Sequence, residues 1–201
     1  MTKIYFVRHA QPIHEWEEDR SRPLTIVGQE DSRQVTKILA KLCVDFFYSS
    51  PYKRSYDTIA ESANNCNKKI IIDERFRERK KGFNGNNHGM FQKRWENLDF
   101  HEENGESIRE VQTRNINALF EILKSHTDKN IVIATHGTAL SSILHYFNND
   151  FSCRDFLRII DYMPYILRLD FDGVNYLNQE EILIVKKEFI GNERVDKPGK
   201  F

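Results

Sequence analysis

The sequence is poor in cysteine, the residue that builds disulfide frameworks and zinc fingers. It has 3 cysteines among 201 residues, Cys43, Cys66 and Cys153. Their number is odd, they lie far apart, and no Cys-x-x-Cys occurs, which argues against a disulfide framework or a zinc finger. Unpaired cysteines of this kind are typical of a reducing compartment. No apolar run approaches the roughly 20 residues of a membrane-spanning helix, and Met1 leads directly into a predicted strand without the regions of a signal peptide. We therefore expect a cytoplasmic protein without a membrane partner.

The chain also lacks an excess of charge of either sign. Its 30 lysines and arginines balance 30 aspartates and glutamates, so the whole-chain charge gives no reason to expect a nucleic acid as partner. An anionic small molecule would have to be held by a local cluster of cations. The 7 histidines show no paired spacing typical of metal ligands, and we expect neither a metal nor another cofactor. No pattern indicates the oligomeric state.

Short apolar runs alternate with amphipathic helical patterns through most of the chain. The predicted strands are residues 3–7, 44–48, 69–72 and 130–134. The predicted helices begin after Thr25, at Ser50-Pro51, at Ser107 and at Thr138. Ser50 is predicted to cap the second helix, with Pro51 at its first position. Alternation of this kind indicates right-handed βαβ crossovers and a mostly parallel sheet.

The C-terminal part of the chain departs from that alternation. Residues 165–171 and 176–185 flank Asp172-Gly173, a turn signal, and predict a hairpin. The fold class is therefore α/β, a three-layer α/β/α sandwich with a mostly parallel sheet and a C-terminal hairpin. We expect one domain over residues 1–187 and a tail over 188–201. The polar segment 75–105 is predicted to be an insertion that covers a site.

Arg8 and His9 follow the first strand directly. In an open α/β sheet, the C-terminal ends of the strands form the edge where ligands bind. A cation beside a nucleophilic nitrogen is what attack on a phosphoryl group requires, although an Arg-His pair alone is more often an ordinary strand-end feature. His136 repeats the arrangement after the most hydrophobic strand. If the two strands are neighbours, His9 and His136 face the same crevice.

Two charged segments offer partners for these histidines. Arg54 lies near the start of the second helix, where a basic residue opposes the helix dipole unless it grips an anion there. The run Glu74-Arg75-Phe76-Arg77-Glu78-Arg79 is typical of a solvated loop, yet one of its carboxyl groups could fold over the crevice as a proton donor. The residues alone leave Glu74 and Glu78 both open.

Together these pieces resemble the histidine phosphatase superfamily, in its phosphoglycerate-mutase-like branch. The ordered set that carries the resemblance is Arg8-His9, Pro23-Leu24-Thr25 with Gly28, Ser49-Ser50-Pro51 with Arg54 and Thr58, Phe76-Arg77-Glu78, Gly105-Glu106-Ser107 with Arg114, and Thr135-His136-Gly137. The resemblance implies a phosphohistidine mechanism with His9 as nucleophile and Glu78 as proton donor. It also implies that Arg8, Arg54 and His136 bind the phosphate, with Gln11, His14 and His88 expected in the substrate pocket.

The chain departs from the mutase pattern just after its first motif. Pro12 and Glu15 stand where mutases of this branch have a serine and an asparagine, and the extra lid segment of cofactor-dependent mutases is missing. These departures favour a metal-independent phosphatase of the histidine acid type acting on a small phosphorylated metabolite. A phosphoglycerate mutase and a non-catalytic domain that binds phosphorylated ligands remain as alternatives. The identity of the substrate stays open.

Overall fold

The computed structural model describes residues 1–83, 85 and 89–187. Within these residues there are six strands: β1 (Thr2–Arg8), β2 (Phe46–Ser49), β3 (Ile70–Ile72), β4 (Asn130–Thr135), β5 (Tyr162–Asp172) and β6 (Asn175–Lys186). The described helices are α1 (Ile26–Leu39), α2 (Lys53–Asn65), α3 (Met90–Glu96), α4 (Ile108–Ser125), α5 (Gly137–Phe147) and α6 (Cys153–Ile159), with a short 3-10 helix at Glu74–Phe76.

The strands form one sheet in the order β3-β2-β4-β1-β5-β6. β3, β2, β4 and β1 run parallel to one another, and β5 and β6 are antiparallel additions at one side. β4 and β1 are neighbours in the middle of the sheet, with Arg8 opposite Thr135. The parallel arrangement brings the C-terminal ends of these two strands to the same edge.

Helices cover both faces of the sheet and divide the core in two. On one face, α1 and α2 pack on the sheet through a cluster that includes Val35, Leu39 and Ile59. On the other, α4 and α5 do so through Leu119, Ile143 and their neighbours. β1 and β4 contribute to both clusters, which is why their sequences are almost continuously apolar. The predicted three-layer α/β sandwich is confirmed.

Most of the predicted elements are present, and two of their details are wrong. Thr25 caps α1 as expected, because its Oγ1 accepts the Gly28 N–H at 2.9 Å. The second helix, in contrast, begins at Lys53 with Tyr52 at the N-cap position, so Ser50 does not cap it and Pro51 lies outside it. The hydroxyl of Ser50 instead lies within hydrogen-bond distance of the ring of His136.

Two helices were not predicted. α3 and α6, each seven residues long, are missing from the sequence prediction because they are too short to show helical periodicity.

None of the helices described over 1–83, 85 and 89–187 has the length and the apolar character that crossing a bilayer would demand.

Candidate active site

Two histidine rings meet at the edge where β1 and β4 end. His9 follows β1 and His136 follows β4, and the two ring centroids are 5.2 Å apart in an edge-to-face arrangement. Both side chains are buried, with 5 % of His9 and 0 % of His136 exposed. The strands are neighbours, so the two strand-end motifs converge on one crevice.

The hydrogen bonds of His9 indicate which of its nitrogens carries the proton. Nδ1 lies 2.8 Å from the carbonyl oxygen of Ala10, so Nδ1 is the protonated nitrogen that donates. Nε2 then has a free electron pair, and it accepts from Nε of Arg54 at 3.2 Å. Burial, followed by the charges of Arg54 and Arg8, holds the pKa of His9 well below its usual value. The imidazole is therefore neutral, with Nε2 available as a nucleophile.

His136 is held by two hydroxyl groups, one from the segment that leads into α2 and one from the first turn of α2. Its Nε2 lies 2.7 Å from Oγ of Ser50 and 3.2 Å from Oγ of Ser55. Among the described residues its Nδ1, which is buried, has no hydrogen-bond partner. Burial first, and then the charge of Arg54, lowers the pKa of His136 well below its usual value. Nδ1 is thus the ring nitrogen left for a ligand.

Two arginines flank the histidines. Nη1 of Arg8 donates to the carbonyl oxygens of Ile159 and Tyr162, at 2.6 and 2.9 Å, which ties β1 to the end of α6. Arg54 is in the first turn of α2, where its guanidinium stacks over the ring of Tyr52 with 4.9 Å to the centroid. Both arginine side chains are buried, at 4 % exposure each. Buried cations beside two neutral imidazoles form a pocket suited to an anion.

Glu78 lies at the N-terminus of α5. Its Oε2 accepts from the N–H of Thr138 at 3.2 Å, and its Oε1 accepts from the N–H groups of Ala139, at 3.2 Å, and Arg79, at 2.8 Å. Because α5 begins directly after His136, this contact places the carboxyl group beside the histidine pair. Glu74 instead forms an exposed ion pair with Arg20, away from this helix end.

A cavity of about 690 Å³ opens in front of Arg54 and Glu78. Its wall combines many charged groups with a few apolar ones. The described residues that line it include Asp19, Arg22, Arg79, Lys80, Lys81, Arg94, Phe91, Phe156 and Ile160. A cavity of this size is far larger than a phosphate ion, so a small organic phosphate fits in it.

The three residues expected in the substrate pocket are placed differently. His14 lines the cavity. Gln11 is not among the described residues that line it; its main-chain oxygen accepts the N–H of Thr25 at 3.0 Å, and its side chain also lies against Thr25. His88 lies outside the residues that the structure describes.

Three further residues support the histidine pair without having been singled out as site residues. Oγ1 of Thr58 accepts the N–H of Ala10 at 3.0 Å and donates to the Arg54 carbonyl at 2.7 Å, which links the loop after β1 to α2. Ser55 faces His136 from the same helix. Asp19 contacts Arg54 from the loop before α1. Thr58 belongs to the motif that carries the family resemblance, whereas no sequence pattern singled out Ser55 or Asp19.

Within the described part of the chain, no group of three or more His, Cys, Asp or Glu side chains is placed to hold a metal ion.

Comparison with known proteins gives one family and a consistent set of relatives. A family model described as "Histidine phosphatase superfamily (branch 1)" matches residues 4–173. Phosphoserine phosphatase 1 of Hydrogenobacter thermophilus is 27 % identical over 159 residues, which cover 68 % of this chain and 71 % of the relative. The probable phosphoglycerate mutase GpmB of an Enterobacter species is 27 % identical over 167 residues, covering 72 % and 74 %.

Among solved structures, a phosphoserine phosphatase from Entamoeba histolytica in complex with 3-phosphoglyceric acid is similar in fold. The TM-score is 0.73 at 19 % identity, covering 94 % of this chain and 98 % of that one.

Proposed function

Because the chain belongs to the histidine phosphatase superfamily, branch 1, we propose that it hydrolyses phosphomonoesters of a small metabolite through a phosphohistidine on His9. The family match confirms the resemblance found in the sequence. The observation that carries the proposal is the unprotonated Nε2 of buried His9, held by Arg54 at 3.2 Å. A neutral imidazole nitrogen surrounded by buried cations is suited to attack a dianionic phosphoryl group.

In the first step, Nε2 of His9 attacks phosphorus in line with the leaving oxygen. An N–P bond forms and the P–O bond to the leaving group breaks. Glu78, protonated for this step, gives its proton to the leaving alkoxide. Arg8, Arg54 and Nδ1 of His136 bind the phosphoryl oxygens and stabilise the charge of the transition state.

In the second step, water replaces the leaving group. The Glu78 carboxylate takes a proton from the water while the oxygen attacks phosphorus and the N–P bond breaks. The products are inorganic phosphate, neutral His9 and protonated Glu78, so the site returns to its starting state. The protein supplies every cation that these steps use, and we propose that no metal takes part.

The enzyme we propose is a phosphoric monoester hydrolase. The sequence of the loop after β1 favours hydrolysis over the phosphoryl transfer of a mutase. Pro12, which is buried in a bridge to Leu24, and Glu15, which is exposed, stand where the mutases have a serine and an asparagine. We further propose that the enzyme is a phosphatase of the histidine acid type and that it is cytoplasmic. The named relatives act, by their names, on phosphoserine or phosphoglycerate, which supports a small phosphorylated metabolite here as well.

The test is release of p-nitrophenol from p-nitrophenyl phosphate in excess EDTA. We expect turnover in the wild type, and a loss of at least about 10³-fold in His9→Ala, because a missing nucleophile cannot be replaced by the remaining groups. His101→Ala removes an exposed histidine outside the cavity and serves as the matched control. Brief reaction followed by acid-labile phosphate analysis should trap phosphohistidine. Equal activity in His9→Ala and the wild type would rule the mechanism out.

A further inference from the structure

The loop between β1 and α1 brings a carboxylate into the proposed phosphate pocket. Oδ1 of Asp19 lies 3.1 Å from Nη1 of Arg54, and the main-chain oxygen of Asp19 accepts from the same Nη1 at 2.6 Å. The Asp19 side chain is 46 % exposed, whereas that of Arg54 is 4 % exposed. A half-exposed acid therefore reaches the buried cation that holds the nucleophile.

The same carboxylate faces a second cation. Its Oδ1 lies 3.1 Å from Nη1 of Arg22 as well. Asp19, Arg22 and Arg54 all line the cavity. One negative charge thus offsets two positive charges on the wall where a phosphorylated ligand would enter.

Arg54 connects this carboxylate to the site of reaction. Its Nε faces Nε2 of His9 at 3.2 Å, while its Nη1 donates to Oδ1 of Asp19. A phosphoryl group at His9 and the carboxylate of Asp19 would therefore bind the same guanidinium. Two anions on one cation repel each other strongly at such separations, above all where water is scarce.

We propose, on the basis of the phosphate pocket proposed above, that Asp19 is a positioning residue that supplies Arg54 with a counter-charge in the empty pocket and weakens the hold on product phosphate. Without it, buried Arg54, together with Arg22, would grip the released dianion more tightly. The carboxylate re-engages Arg54 as phosphate leaves.

The charge of Asp19 can be removed without dismantling the loop. The main-chain oxygen of Asp19 also accepts from Arg54, and this acceptor is present whatever the side chain at position 19. The next residue anchors the loop independently, because the Arg20 carbonyl accepts the Lys53 N–H at 2.8 Å and its side chain pairs with Glu74. Asp19→Asn, which is nearly isosteric, therefore isolates the charge.

The experiment is titration calorimetry of inorganic phosphate into the full-length protein at pH 7.5 and low ionic strength. We expect Asp19→Asn to bind phosphate about tenfold more tightly than the wild type, with a smaller gain in added salt, because salt screens the repulsion. The inhibition constant of phosphate against p-nitrophenyl phosphate should fall by the same factor. Glu15→Gln is the matched control, because it removes one exposed negative charge from the same loop and should leave phosphate binding unchanged.

Asp19→Ser, which also removes the charge, should tighten binding too and guards against an effect of the asparagine amide. Unchanged phosphate binding in both variants would overturn the proposal, and weaker binding in both would show that Asp19 only holds Arg54 in place. Because the titration needs no turnover, it tests the role of Asp19 independently of the proposed hydrolysis. A wild type that binds phosphate without hydrolysing esters would contradict the function but not the role of Asp19.

Discussion

At the scale of single residues, hydrogen-bond partners decide what each side chain of the pocket can do. His9 is neutral with its proton on Nδ1 because the Ala10 carbonyl accepts that proton. Burial is the largest cause of the lowered pKa of His9, ahead of the charges of Arg54 and Arg8. The protonation state of His9, the proposed nucleophile, therefore depends on its burial in the crevice as well as on the neighbouring arginines.

Thr58 gives a prediction at this scale. Its hydroxyl joins the N–H of Ala10 to the carbonyl of Arg54, and the side chain is 1 % exposed. We expect Thr58→Val to lower the free energy of unfolding by about 1–3 kcal/mol, because it leaves the buried N–H of Ala10 without an acceptor. Activity should fall as well, since the loop that follows His9 is no longer tied to α2 through this hydroxyl. Thr58→Ser, which retains the hydroxyl, should be close to the wild type. Urea denaturation and p-nitrophenyl phosphate turnover check both, and equal stability of the two variants would contradict the prediction.

At the scale of elements, the strand ends and helix starts position the groups of the pocket. α5 begins directly after His136 and its first N–H groups hold Glu78, so one helix N-terminus places both an imidazole and a carboxylate. α2 places Arg54 and Ser55 in its first turn. The site is thus carried by rigid elements at the sheet edge, as is general for open α/β sheets.

Gly28 in the first turn of α1 gives a prediction at the element scale. A methyl group there would overlap the carbonyl oxygen of Gln11, in the loop that follows His9. In an unobstructed helix, Gly→Ala stabilises by roughly 1 kcal/mol; here we expect Gly28→Ala to destabilise by about 1–3 kcal/mol, because the backbones must separate. Gln29→Ala, at the next and exposed position, is the control and should be neutral or slightly stabilising. Thermal and urea unfolding measure both, and a stabilised Gly28→Ala would show that the contact yields freely.

At the scale of the whole molecule, two carboxylates organise the segment after Glu78: Glu102 ties parts of that segment to one another, and Glu106 ties its start to α4. Glu102 pairs with Arg79 and Arg94, and all three side chains are at most 6 % exposed. Glu106 pairs with Arg77 and Arg114. Two cations share one carboxylate in each case, so loss of Glu102 would leave buried positive charge uncompensated and loss of Glu106 would leave partly buried positive charge uncompensated.

The stability of the folded protein should depend on pH through Glu106 and the two histidines of the pocket. The pKa values of His9 and His136 are lowered in the folded state. Below about pH 6.5 the unfolded chain therefore binds protons that the folded chain does not, and stability falls as pH decreases. Burial raises the pKa of Glu106, but hydrogen bonds from Arg77, Lys80 and Arg114 outweigh it and lower that pKa to about 2. Its contribution is complete above about pH 4.5 and is lost as pH falls towards 2.

We therefore expect the free energy of unfolding to decline between pH 7.5 and 5.5 and again below pH 4.5. Each histidine contributes at most about 1.4 kcal/mol per pH unit in the upper window. Urea denaturation at a series of pH values measures the slope. His9→Asn should reduce the upper slope, whereas His101→Asn, which removes an exposed histidine, should leave it unchanged. A wild type equally stable at pH 7.5 and 5.5 would contradict the lowered histidine pKa values.

The sequence by itself determined most of the secondary-structure elements and the candidate site residues. Continuous apolar runs predicted β1 and β4, and the helical spacing after Thr25 and Ser107 predicted α1 and α4, because local periodicity reflects which faces are buried. The strand-end positions of His9 and His136 predicted one crevice on condition that the two strands are neighbours, and the sheet order meets that condition. The boundary at 187/188 stays a prediction, since residues 188–201 lie outside the described part of the chain.

The tertiary structure alone decided which polar groups pair. Ser50 was predicted to cap a helix and instead contacts His136, 86 positions away in sequence. Asp19 reads as one of several acids in a charged loop, and only the fold brings it to Arg54. Glu78 was separated from Glu74 by family resemblance, and its contact with α5 spans 60 positions. Contacts between distant residues leave no periodic trace in the sequence, because they depend on how the layers dock.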